Sequence, residues 1–83
     1  MSVAVERKLD RTQVEKVRAA LNAKGIVLDG DTGVFRKNVG IGDVAGSYRY
    51  DGTVLRIEVT KKPMLVGWNS IQDQINKGID EAA

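Results

Sequence analysis

Cysteine and histidine are both absent from this chain, and there is one proline. Without cysteine there are no disulfides to support a small secreted domain, and without histidine the commonest metal ligand and the usual acid/base group are missing. Ser47 and Ser70 therefore have no histidine to activate them, and a serine at its ordinary pKa is a weak nucleophile. Aromatic residues are few: one phenylalanine, one tryptophan and two tyrosines. No stretch approaches the roughly 18 apolar residues that a membrane span needs. The opening Met1-Ser2-Val3-Ala4-Val5-Glu6-Arg7-Lys8 carries charge too early to be the apolar region of a signal peptide, so the expected location is the cytoplasm. Charge of one sign is also scarce. The net charge is +2, whereas a nucleic-acid binder of this size usually shows a larger and more clustered basic excess.

What remains is an ordinary globular composition, 42% hydrophobic and 29% charged, which argues against wholesale disorder. The 83 residues make one domain with a single core and no room for a separate catalytic unit.

Val3-Ala4-Val5-Glu6-Arg7 alternates and is rich in β-branched residues, which predicts a short strand with Val3, Val5 and Arg7 on one side. Its alanine and glutamate also suit a helix, so the assignment is open between the two. Asp10 stands three residues before Gln13, the spacing of a capping box, and predicts a helix from Arg11. Val14, Val17 and Leu21, with Ala20, form its apolar stripe, and Gly25 ends it.

Ile26-Val27-Leu28 reads as a short strand stopped by the turn Asp29-Gly30-Asp31-Thr32-Gly33. Val34 to Ile41 alternates again, with Phe35, Val39 and Ile41 on one side and Arg36, Asn38 and Gly40 on the other. Gly40-Ile41-Gly42-Asp43 supplies the next turn. From Val44 to Thr60, two strands hinge on Asp51-Gly52. Gly46, Tyr48, Tyr50, Leu55, Ile57 and Val59 share one face, and Ala45, Ser47, Arg49, Val54, Arg56 and Glu58 the other.

Pro63 cannot donate to a ladder and closes the last strand. Trp68, Ile71, Ile75 and Ile79 then recur at helical spacing, with Asn69 and Gln72 as a second capping pair and Gly78 beside the stripe, where it would permit a close approach. The predicted fold is α+β: an antiparallel β-meander with two helices packed on one face, in the order β-α-β-β-β-β-α.

Two glycine-rich stretches resemble ligand loops and fail on spacing. Asp29-Gly30-Asp31 opens like a calcium loop, but the twelfth position, where a closing carboxylate belongs, is Gly40. Gly40-Ile41-Gly42-Asp43-Val44-Ala45-Gly46 leads into a strand instead of the helix that a phosphate loop requires. Neither predicts a cofactor or a metal, and Gly46 is expected to mark a bulge or to leave space for a helix.

Three candidate surfaces remain. Arg36, Arg49 and Arg56 share the polar parity and would form a row across the outer face, an anion-binding surface for nucleic acid or an acidic protein. That face has no aromatic residue on which bases would stack. Phe35, Tyr48, Tyr50 and Trp68 would line a cavity for a small apolar ligand. Lys61, Lys62, Met64, Leu65, Val66 and Trp68 concentrate apolar surface and lysines after the meander, either as a partner-binding patch or as a plug over the end of the core.

The order of parts resembles a small bacterial family, the polyhydroxyalkanoic acid system proteins. The resemblance is carried by the charged strand Val3–Arg7, the helix from Arg11, Gly30-Asp31 leading to Phe35, Gly46, Ile57-Glu58-Val59, Met64-Leu65 and the Ile71/Ile75 helix. Members often carry a histidine between the first strand and helix, where this chain has Lys8-Leu9-Asp10. The resemblance implies a small cytoplasmic, non-enzymatic accessory protein associated with polyhydroxyalkanoate granules, and supplies no catalytic residue. The expected partner is a protein or an apolar granule surface. A homodimer through edge strands or the Met64–Trp68 junction is a further expectation.

Overall fold

The computed structural model describes residues 2–83. The elements are β1 (Val3–Lys8), α1 (Arg11–Ala23), β2 (Thr32–Asn38), β3 (Asp43–Tyr50), β4 (Val54–Lys61) and α2 (Trp68–Ala82). The strands form one sheet in the order β1-β4-β3-β2, and every neighbouring pair is antiparallel. The segment Val3–Arg7 is thus a strand, held at the sheet edge by pairing of Val5 with Ile57. The α+β class and the placement of both helices on one face follow from the same alternation that separates the two sides of β3 and β4.

The start of α1 is set locally. Asp10 accepts from the Gln13 amide at 2.8 Å while the Gln13 side chain accepts from the Asp10 amide at 3.0 Å. At its other end Gly25 takes φ +86, and the amides of Ile26 and Gly25 donate to the carbonyls of Leu21 and Asn22. This left-handed turn satisfies carbonyls that the helix leaves free.

Ile26–Leu28 departs from the expected strand, so three strands follow α1 and the order is β-α-β-β-β-α. Side chains take the bonds that a ladder would have used. Arg18 donates to the Leu28 carbonyl at 3.1 Å and Tyr48 to the Asp29 carbonyl at 2.8 Å. Leu28 is nonetheless buried, so the segment acts as an apolar strap from helix to sheet.

Two glycines are shaped by their neighbours. Gly33 lies opposite Tyr48 and Gly46 opposite Phe35, so each ring covers a cross-strand glycine. Gly46 also sits at a register shift against β4, where Ala45 faces Lys61 but Gly46 faces Val59. The expected bulge is there, and a side chain at Gly46 would collide with the backbone of Glu58 across it.

The core joins Val5, Leu9, Val14, Val17, Leu28, Leu55, Ile57 and Ile79 to the two tyrosines. α2 packs over β1, where Arg7 pairs with Asp80 and donates to Asn76 at 3.3 Å. The expected cap of α2 by Asn69 and Gln72 does not form: the helix begins two residues earlier than that cap would place it, at Trp68, with Gly67 as its cap. Gly78 does not bring α2 close to anything, since nothing lies within 4 Å of where its Cβ would stand.

Candidate functional site

The outer face of the sheet does not assemble the expected row of arginines. Pairing places Glu6, Arg56, Arg49 and Thr32 side by side across the four strands. Arg36 lies four residues farther along β2, about 13 Å away at the rise of a strand. Parity put the three on one face, but register separated them. Arg36 is held by Asp43, with Nε 3.0 Å from the carboxylate. Arg56 lies 3.1 Å from Glu6 and 3.8 Å from Glu58. Arg49 forms no ion pair among the described residues. Beside it, Thr32, Ser47 and Arg56 border a shallow polar hollow of about 300 Å3.

Three carboxylates elsewhere are tuned by their partners. A bidentate bond from Arg11, at 2.6 and 2.9 Å, holds Asp31 below the ordinary carboxylate value, with Arg18 adding to the effect. Arg36 does the same for Asp43. At the β3–β4 turn the amides of Val54 and Thr53 lower Asp51, at 2.8 and 2.9 Å. Each brings charge to rest within the fold and none is paired with a second acid in a cleft.

The Lys61–Trp68 segment divides between plug and patch. Pro63 is buried and packs beside Gly42 of the β2–β3 turn. Lys62 Nζ stands 5.2 Å from the centre of the Trp68 ring, and both side chains are half-buried. Val66 is half-buried too, whereas Met64 is 95% and Leu65 89% exposed. At the abutting β2–β3 turn Val39 and Ile41 are also exposed, in contrast to their expected place on the core face. β2 ends at Asn38, where Asn38 donates to Asp43 and accepts from Gly40, so the alternation stops before it reaches them. One end of the molecule therefore carries four exposed apolar side chains with Lys61 and Lys62 beside them.

Between the helices and the sheet lies an apolar cleft of about 230 Å3. Its floor is Phe35, Tyr48, Ile57 and Val59; its walls are Leu21 of α1 and Ile75 of α2. Of the four aromatics expected to line a cavity, Phe35 and Tyr48 do so. Tyr50 and Trp68 do not. The Tyr50 hydroxyl is turned to the opposite end of the sheet, 2.7 Å from the Leu9 carbonyl and 2.9 Å from that of Gly52. Trp68 stays at the Lys62 contact. Lys24, Gln74 and Gly78, which also border the cleft, stood apart in the sequence pattern. Only the glycine inside an otherwise good helix was a signal.

Compared with family models, curated proteins and solved structures, the chain matches none. Among the described residues, no helix is long and apolar enough to cross a membrane.

Proposed function

We propose that this chain is a non-enzymatic accessory protein that docks through its Met64-Leu65 end onto an apolar partner surface. The observation that carries the reading is the exposure of Met64 and Leu65 at the tip of an ordered turn, in which the Val66 amide donates to the Pro63 carbonyl. Burying two such side chains supplies roughly 3–6 kcal/mol of gross transfer free energy, enough to support weak association after its entropy cost. Exposed Ile41 extends the patch, and the neighbouring lysines favour a surface that is apolar with some negative charge.

A cytoplasmic granule of polyhydroxyalkanoate, a polyester, is the apolar partner that the resemblance implies. The hydroxyls of Tyr48 and Tyr50 donate to backbone carbonyls inside the fold, which favours a non-catalytic role for both. The nucleic-acid reading is weaker, because carboxylates hold Arg36 and Arg56.

The test is sedimentation of the purified chain with polyhydroxybutyrate particles. Wild type is expected to pellet with them, and a Met64→Asp/Leu65→Asp variant with an unchanged melting curve is expected to remain in solution. Equal pelleting of both would discard the docking surface.

A further inference from the structure

We propose that the cleft between helices and sheet is a binding site for a medium-chain aliphatic carboxylate, its chain over Phe35, Ile57 and Val59 and its head group at Lys24 and Lys37. Protein interiors are normally filled, and voids larger than a water molecule are few. This chain leaves about 230 Å3 in contact with the centre of its core. An apolar cavity of about 150 Å3 accepts the six carbons of benzene, so this cleft has room for roughly nine.

The rim supplies the charge. Lys24 borders the cleft at the end of α1, and the Lys37 ammonium comes within 3.0 Å of the place a Cβ on the adjacent Gly25 would occupy. Neither lysine forms an ion pair among the described residues. Lys37 lies on the core side of β2, two residues beyond Phe35; it is not part of the cleft lining, but its ammonium stands at Gly25, between the lining residues Lys24 and Ile26. An apolar slot with the Lys24 side chain on its rim and the unpaired Lys37 ammonium next to that rim matches an anion with a hydrocarbon tail.

Gly78 makes the site testable without damaging the fold. It borders the cleft from α2, with nothing within 4 Å of its Cβ position. A larger side chain there projects into open space, and leucine suits the helix better than glycine.

Calorimetric titration of the full chain with hexanoate, octanoate, decanoate and 1-octanol, each below its aggregation concentration, gives the decisive comparison. Affinity is expected to rise about fifteenfold from hexanoate to octanoate, the effect of two buried methylenes, and by less to decanoate as the cleft fills. Gly78→Leu is expected to melt at or above the wild-type temperature and to lose octanoate affinity by more than tenfold. Lys24→Gln/Lys37→Gln should weaken octanoate by roughly fivefold and leave 1-octanol unchanged. Met64→Asp/Leu65→Asp should bind octanoate as wild type does, which separates this site from the docking surface.

Absence of saturable binding by octanoate and decanoate at millimolar concentration overturns the proposal, as does octanoate binding that ignores Gly78→Leu. Equal weakening of octanoate and octanol by the lysine substitutions overturns the head-group assignment. A Gly78→Leu variant that changes the sedimentation coefficient instead would give the cleft to a second copy of the chain.

Discussion

A methyl group on Gly46 would stand 1.9 Å from the carbonyl oxygen of Glu58, and 3.0 Å from the ring of Phe35. The first distance is to backbone, which cannot rotate away, and it lies at the bulge where β3 changes register against β4. Glycine is needed here for space, with no positive φ involved.

Gly46→Ala is therefore expected to destabilise the fold by about 3 kcal/mol, the upper range for overpacking, because strand pairing must shift to admit the methyl. Gly78→Ala is expected to do the reverse, raising stability by about 1 kcal/mol through helix propensity alone. Urea denaturation of the two variants checks both, and a Gly46→Ala protein as stable as wild type would show that the bulge yields easily.

The tyrosine hydroxyls make a second pair. Tyr50 can donate to one of two carbonyls, Leu9 at 2.7 Å or Gly52 at 2.9 Å, and through them ties the α1 entry and the β3–β4 turn together. Tyr50→Phe deprives the Leu9 carbonyl, the buried one of the two, of this donor and should lower stability by about 1–3 kcal/mol. Tyr48→Phe removes the bond to the Asp29 carbonyl, and with it an anchor of the Ile26–Leu28 strap. Exchange of the amides around Asp29–Thr32 should accelerate in that variant more than exchange within α1, a contrast that hydrogen-exchange measurements resolve.

Acid sensitivity follows from Asp31, Asp43 and Asp51. Their folded pKa values lie below the ordinary 3.8, chiefly through Arg11, Arg36 and the amides of Val54 and Thr53 respectively. A depressed carboxylate contributes stability that is fully present above its unfolded pKa and is lost as pH falls through the folded value. The melting temperature should therefore vary little on account of these groups above about pH 5 and fall below about pH 4. Asp31→Asn, which ends the ion pair with Arg11, should melt lower than wild type at neutral pH. The gap should close toward pH 2, and melts recorded across that range test it; a constant gap would assign the effect of Asp31 to shape and not charge.

Much of this architecture was readable from local pattern. The Asp10/Gln13 box and Gly25 bounded α1 because helix ends are satisfied by neighbours in the chain. The two faces of β3 and β4 followed from alternation, and pairing of Tyr48 with Ile57 and of Tyr50 with Leu55 put the expected residues in the core. Less was readable where a residue's role depends on where its strand stops. Val39 and Ile41 continued an apolar alternation that the Asn38–Asp43 turn ends, and Ile26–Leu28 has the composition of a strand, but side chains of Arg18 and Tyr48 bond the carbonyls of Leu28 and of its neighbour Asp29 in place of a ladder.

By itself the sequence determined a small α+β domain without cysteine or histidine chemistry, the start of its first helix at Arg11 and the glycine that follows its end, and the division of its sheet into apolar and polar faces. These depend on composition, capping and periodicities of 2.0 and 3.6, which act over a few residues. Only the tertiary structure decided that Arg36 stands apart from Arg49 and Arg56, that Met64 and Leu65 face water while Pro63 is buried, and that a cleft opens beside Gly78. Strand register, the seating of a turn and the space left between helices and sheet are set by pairs of residues far apart in the chain, and no local period encodes them.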